Sequence, residues 1–260
     1  MRLSFPAAVL GTLALAGVAA GGDPAPTWPS PDTAGPPAPY RLDFETLPKD
    51  HALPEGFRPV TGAWSVVDDP LAPGKNHVLL QDARVDAYGL ALVTGEGRAC
   101  ADGTVALKFL PVSGKDDAAG GVVFRARDPD SYYLCRANAL EDNLRLYIVK
   151  HGRRWDLASV AVDPPALNAW HTLEVTFEGP TLRGVLDGKF TVEAKDPTYA
   201  AGWCGVWTKS DSVTRFDDLV VTPAPAKVAP PPAPAPPDPK APKDPAPGAP
   251  GKDPAPPAMD

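Results

Sequence analysis

The sequence predicts an all-β fold, an antiparallel β-sandwich or jelly roll, followed by a disordered tail rich in Ala, Pro, Lys and Asp. Across residues 41–221, short segments of alternating apolar and polar residues are separated by turn signals such as Asp102-Gly103 and Asp187-Gly188. No segment there repeats apolar residues at helical spacing, so a parallel α/β fold is not expected. Roughly twelve to fourteen strands, about ten residues apart, suit a large sandwich.

The first 20 residues predict a signal peptide. A positive charge at Arg2 precedes an apolar run from Ala7 to Ala20, and the small residues Val18 and Ala20 fit cleavage after Ala20. The run is too short to span a bilayer, which takes about 20 apolar residues. No cysteine follows it as a lipoprotein signal would require. We therefore expect a secreted or periplasmic protein without membrane insertion.

Proline is concentrated at both ends of the chain. Of the 35 prolines, seven lie in residues 23–39 and sixteen in 223–260. We assign 21–39 to a proline-rich linker, 40–222 to the folded domain and 223–260 to the tail. The tail lacks the apolar side chains that offset the entropy cost of ordering, so we expect an extended, disordered segment. Such a spacer suits contact with the cell envelope, although a tail without any specific partner is equally compatible with its composition.

The charge of the chain excludes one class of partner. The formal net charge is −7. Proteins that hold nucleic acid or anionic lipid by long-range attraction carry clustered Lys and Arg instead. We expect no nucleic-acid partner.

Polar side chains share one face of several predicted strands. Side chains alternate along a strand, so Arg136 and Asn138 point to the same side as Tyr132. Guanidinium and amide groups bond sugar hydroxyls, and a tryptophan ring stacks on the apolar face of a pyranose. An ordinary solvated sheet face is the alternative interpretation. The candidate carbohydrate-binding residues are Arg125, Arg136, Asn138, Glu141, Asn143, Trp207 and Lys209.

Several segments resemble a group of bacterial secreted proteins. They are 120–125 (GGVVFR), 131–143 (SYYLCRANALEDN), Leu146-Tyr147, Trp170-His171, 205–214 (GVWTKSDSVT) and 216–219 (FDDL). In this combination, residues 40–222 resemble the concanavalin A-like lectin/glucanase sandwich superfamily. That superfamily includes laminin-G-like modules and is related to the 3-keto-disaccharide hydrolase family. The resemblance implies a sandwich that binds or cleaves glycans on its concave sheet.

The resemblance leaves three functions open. The first is a carbohydrate-binding module, and the second is a glycoside hydrolase acting on 3-keto-disaccharides or related glycosides. The third is a structural or adhesion module of the cell envelope. A hydrolase needs a proton-transfer group, for which Glu141 and Asp211 are the candidates. The adjacent acids Glu141-Asp142 and Asp217-Asp218 point to opposite faces of a regular strand, which disfavours the paired carboxylates of a retaining glucanase.

Acidic residues near the two chain ends predict a structural calcium site. Asp43 and Glu45 lie in the first predicted strand, and Asp217 and Asp218 lie in the last. The end strands of such sandwiches commonly pair, and calcium prefers six to eight oxygen ligands. Solvated or capping carboxylates are the alternative. We expect no other cofactor.

The three cysteines are Cys100, Cys135 and Cys204. Export favours oxidation, but an odd number leaves at least one thiol unpaired. Their spacing does not select a pair.

Overall fold

A computed structural model of the chain describes Trp28, residues 30–31, 37–45, 53–70, Ala72 and 77–225. The predicted signal peptide, most of the predicted linker and the tail from residue 226 lie outside the described residues.

These residues form fifteen β-strands and no α-helix, which confirms the all-β prediction. No helix among them is long and apolar enough to cross a membrane. The strands are β1 Tyr40–Leu42, β2 Phe57–Thr61, β3 Trp64–Asp68, β4 His77–Gln81, β5 Leu90–Val93, β6 Gly103–Ser113, β7 Ala119–Asp128, β8 Ser131–Asn138, β9 Asn143–Lys150, β10 Arg153–Ala161, β11 His171–Glu178, β12 Thr181–Leu186, β13 Phe190–Lys195, β14 Trp203–Trp207 and β15 Val213–Pro223.

The strands form two antiparallel sheets. Sheet A has the order β13-β12-β11-β6-β15-β4-β3, with β1 also paired to β15. Sheet B has the order β10-β9-β8-β7-β14-β5-β2. The antiparallel sandwich predicted from the alternating pattern is therefore confirmed.

The main core lies between the two sheets. On β11, Leu173, Val175 and Phe177 are buried while the residues between them are exposed. Phe177 stacks on Phe124 of β7 at 5.3 Å between ring centroids, and Phe124 stacks on Tyr133 of β8 at 5.4 Å. This aromatic stack joins sheet A to sheet B, as the period-two pattern requires.

Sheet B is buried on its outer face as well. All eight residues of β8 are buried, and so are all five of β14. The outward-pointing side chains form a second apolar cluster, separate from the main core. An ordinary solvated face, the alternative interpretation of the sequence, is thus wrong for the central strands of sheet B.

Candidate functional site on the outer face of sheet B

The outer face of sheet B carries a group of large aromatic side chains. Tyr132 of β8, Tyr147 of β9, and Trp203 and Trp207 of β14 belong to its apolar cluster and are at most 2% exposed. The cross-strand register places Trp207 opposite Gly121 of β7. Because glycine has no side chain, nothing on β7 stands between Trp207 and the residues of β8.

Contacts across the sheet show that this face is concave. The guanidinium carbon of Arg154 on β10 lies 4.5 Å from the Tyr147 ring centroid and 5.8 Å from that of Trp207. β10 and β14 are four strands apart in the sheet order, about 19 Å at the usual strand spacing. Arg154 can therefore reach Trp207 only if the face curves. We call this concave region, floored by Tyr132, Tyr147, Trp203 and Trp207, the hollow.

One end of the hollow is polar. Arg136 Nη2 donates to Glu141 Oε2 at 2.7 Å and to the Tyr147 hydroxyl at 3.1 Å. The side-chain amides of Asn138 and Asn143 also donate to Glu141, at 3.2 and 3.1 Å. Glu141 therefore receives donors from three of the predicted carbohydrate-binding residues.

The same network extends to the loop that follows β14. Asn138 Nδ2 donates to Asp117 Oδ1 at 2.8 Å, and Lys209 Nζ lies 2.9 Å from Asp117 Oδ2. The structure thus brings six of the seven predicted residues to one face. They are Arg136, Asn138, Glu141, Asn143, Trp207 and Lys209.

Arg125 is the exception, and its predicted position is wrong. It lies at an irregularity of β7 where the pairing register shifts, with φ at +48°, so simple alternation fails. Its side chain is 1% exposed and crosses the end of the sandwich. The guanidinium donates to four oxygens, those of Ala101, Gly179, Tyr199 and Asp102 Oδ1, at 2.7 to 3.2 Å. Arg125 is a structural clamp.

The exposure of the other residues also differs from expectation. The sequence predicts an open polar surface, but Arg136 is 3% exposed and Trp207 is fully buried. Several buried polar atoms of this face nevertheless have no hydrogen-bond partner in the described structure. Three can donate and one accepts: Arg136 Nη1, Arg145 Nε, Trp203 Nε1 and the acceptor Asn143 Oδ1. The Tyr132 hydroxyl, in contrast, is in hydrogen-bonding contact with Tyr88 and Trp207.

The hollow is spanned by a residue from the segment before β5. The Tyr88 hydroxyl donates to the carbonyl of Gly152, in the β9–β10 turn, at 3.1 Å. Its ring centroid lies 6.0 Å from that of Trp207. Trp28, in the predicted linker, packs against the same cluster and stacks with Arg58 at 4.5 Å. Tyr88 and Trp28 therefore help to cover the face.

The two candidate general acids have environments that favour the ionised form. Burial raises the pKa of Glu141, but the hydrogen bond and charge of Arg136 outweigh it, and the net pKa is lowered. Asp211 accepts from the backbone amides of Lys115, Asp116 and Asp117, at 2.8 to 3.2 Å, which lowers its pKa. A group held as a carboxylate is a poor proton donor near neutral pH. Asp211 ties down the loop between β6 and β7.

Each of the four predicted calcium ligands contacts another group of the protein. Asp218 pairs with Arg41 and, at 2.7 Å, with Lys108. Glu45 lies 3.3 Å from His77 Nδ1, and Asp43 accepts the backbone amide of Glu45. Asp217 is fully buried and accepts the amide of Asp218 at 2.7 Å. Nowhere in the described ranges do three or more His, Cys, Asp or Glu residues form a metal-binding group. The calcium site remains a prediction from the sequence.

Two cavities lie away from the hollow. One, of about 440 Å³, is on sheet A and is lined by Lys108, Glu174 and Asp218 among others. The other, of about 540 Å³, is at the edge of the sandwich beside Lys150, Arg153 and Trp155. Trp155 is 53% exposed. This edge is a second place where a ring could stack, and it provides a control for experiments on the hollow.

Comparison with solved structures supports the fold. The chain is similar to the carbohydrate binding module CBM66 from Bacillus subtilis, with 21% identity over 63% of this chain and 93% of that one, and a TM-score of 0.53. It is also similar to a Bacillus subtilis protein of unknown function with a galectin-like fold, with 13% identity, 70% and 94% coverage, and a TM-score of 0.52. The chain therefore has the concanavalin A-like sandwich fold. No family and no curated protein matches it by sequence.

Replacing Arg125 tests its role as a clamp. We expect Arg125→Met to lower the free energy of unfolding by about 3 kcal/mol or more, because buried oxygens lose a charged donor. Urea denaturation measures the change. The control Arg153→Met alters an exposed arginine and should change stability little. Equal small effects of both substitutions would contradict the clamp.

The lowered pKa of Glu141 predicts a pH-dependent contribution to stability. The carboxylate stabilises the fold fully above its ordinary pKa of 4.5, and this contribution is lost as the pH falls through the lower native pKa. The difference in melting temperature between the wild type and Glu141→Gln should therefore be largest at neutral pH and shrink below pH 4.5. The exposed Glu174→Gln is the control. A difference that stays constant with pH would show that Arg136 does not act on the Glu141 charge.

Proposed function

We propose that the protein is a secreted or periplasmic carbohydrate-binding module that holds a saccharide in the hollow of sheet B. One observation carries the proposal: buried donors without acceptors lie beside the aromatic rings. Each buried polar group left unsatisfied costs about 1–3 kcal/mol. A ligand rich in oxygen acceptors would recover part of that cost.

The chemistry of the floor suits a sugar. The indole N–H of Trp203 can bond a hydroxyl or ring oxygen, and the Tyr132 and Trp207 rings belong to the same cluster. The faces of the same rings stack on the apolar side of a pyranose. The Bacillus subtilis structure similar to this chain is named as a carbohydrate binding module, which supports the same class of ligand here.

The arginines favour an acidic saccharide. Arg136 and Arg145 are directly opposite each other on β8 and β9, and each has a buried nitrogen without a partner. Like charges facing each other across strands are unfavourable unless anions lie nearby. Glu141 and Asp156 supply one contact each, and Arg154 adds a third cation above the rings. A uronate or sulfate group would accept bonds from the unpaired nitrogens.

Access to the floor requires a movement. The hydrogen bond from Tyr88 to Gly152 spans the hollow, and the donors beneath have no accessible surface. A saccharide can reach them only when this contact opens. Its loss costs about 1 kcal/mol, which ligand contacts of the kind described above can offset.

The test is a glycan array carrying matched neutral and uronate-containing oligosaccharides, probed with the full chain. We expect binding to the acidic members and weaker binding at higher salt, since exposed charge interactions are screened. Retention of neutral and acidic members alike would support a sugar site without the acidic preference. Absence of binding to every member would contradict the function, and release of reducing sugar would indicate the hydrolase instead.

Neighbouring arginines of β10 provide a matched pair of variants. Arg154 points over the hollow, whereas Arg153 lies beside Trp155 at the edge cavity. We expect Arg154→Ala to weaken binding of the selected saccharide at least about tenfold, which is 1.4 kcal/mol, while Arg153→Ala leaves it unchanged. Isothermal titration calorimetry measures both.

Both arginines are exposed, so neither substitution should disturb folding, and melting temperatures check this. Trp155→Ala completes the set. If Arg153→Ala and Trp155→Ala abolish binding and Arg154→Ala does not, the saccharide binds at the edge cavity and the hollow is not the site.

A further inference from the structure

Two of the three cysteines lie near each other at a short β-bridge that pairs Cys100 with Gly202. The amide of Cys100 donates to the carbonyl of Gly202 at 3.0 Å, and the amide of Gly202 donates back to Cys100 at 3.1 Å. Cys204, in β14, follows Gly202 by two residues, and it belongs to the same main core cluster as Cys100. The thiols of Cys100 and Cys204 are in hydrogen-bonding contact. Both are free in this structure and at most 3% exposed.

The third cysteine is out of reach of this pair. Cys135 lies on β8, and β7 separates β8 from β14. Two strand spacings are about 10 Å, beyond the Cα separation of about 7 Å that a disulfide allows. Cys135 packs instead toward sheet A, where a Cβ on Gly184 would lie 2.4 Å from its sulfur. Burial raises the pKa of Cys135 to about 12, so this thiol is unreactive.

We propose that Cys100 and Cys204 form a disulfide in the mature protein and that Cys135 remains a thiol. The bridge joins the segment before β6 to β14. That segment supplies two of the oxygens held by Arg125, at Ala101 and Asp102, and β14 carries Trp203 and Trp207 of the hollow. The disulfide would therefore fix the strand that presents the two indoles.

The oxidant is a disulfide of the glutathione class. The thiolate of Cys100 attacks one sulfur of oxidised glutathione, forming a mixed disulfide and releasing one glutathione thiolate. Cys204 then gives up its proton and displaces the second glutathione. One S–S bond is broken and one is formed, and two glutathione thiols are produced. The contact with Cys204 lowers the pKa of Cys100, and the charge of Arg125 acts in the same direction, which favours the attacking thiolate.

Peptide mapping tests the pairing without any mutation. The full chain is refolded in oxidised and reduced glutathione, denatured, alkylated without reduction and digested with trypsin. Cleavage after Arg98 and Lys108, and after Lys195 and Lys209, places Cys100 in 99–108 and Cys204 in 196–209. We expect these two peptides as one linked species that separates on reduction, with Cys135 alkylated in 128–136.

Alkylation of both Cys100 and Cys204 in the refolded protein would overturn the proposal, as would a link to Cys135.

A second measurement determines how the disulfide affects thermal stability. Reducing agent should lower the melting temperature of the wild type and of Cys135→Ser by the same amount. It should leave the melting temperature of the double variant Cys100→Ser/Cys204→Ser unchanged. Equal responses of all three proteins to the reductant would also contradict the bridge.

Discussion

The burial of the central strands of sheet B on both faces is the constraint on which the rest of the structure depends. The inner face of the sheet packs against sheet A, and its outer face holds a second cluster that includes Trp203 and Trp207. In strands buried on both faces, some positions have no space for any side chain. At Gly205 of β14, a Cβ would lie 2.1 Å from the Ala91 carbonyl oxygen of β5. Gly205 therefore allows β14 and β5 to approach closely between Trp203 and Trp207.

Because these strands are buried on both faces, an unpaired polar group in the hollow costs free energy. In water an indole N–H or a guanidinium nitrogen without a protein partner costs nothing, but inside the protein it loses a hydrogen bond. Most buried polar groups in proteins are satisfied, and those of Arg125 in this chain are. On the outer face of sheet B, Arg136, Arg145 and Trp203 keep buried donors without partners, and on sheet A the Tyr40 hydroxyl and Arg215 Nε do so as well. Arg125 thus differs from Arg136, which keeps one buried nitrogen without a partner.

Much of the fold was predictable from the sequence. Alternation along β11 and the turn at Asp187-Gly188 identify strands without tertiary information, and the period of two placed Tyr132, Arg136 and Asn138 on one face. The face predicted for Arg125 was wrong because an irregularity in β7 breaks the alternation of side chains. The residue types in this segment do not predict such an irregularity. Arg154 and Tyr88 were missed because their contacts depend on the curvature of the sheet. The proximity of Cys100 and Cys204 depends on the bridge between Cys100 and Gly202. This bridge joins residues separated by more than half of the domain, and the spacing of the cysteines in the sequence does not predict it.

Indole resonances in a ¹H–¹⁵N NMR spectrum test the central claim most directly. Assigned by single Trp→Phe variants, the Nε1–H signals report whether the Trp203 donor gains an acceptor and whether the surroundings of the Trp207 indole change. The account predicts that titration with the saccharide selected on the array moves the Trp203 signal downfield, shifts the Trp207 signal and leaves that of the exposed Trp155 in place. Binding that moves Trp155 alone, or that leaves both hollow indoles unchanged, would contradict it.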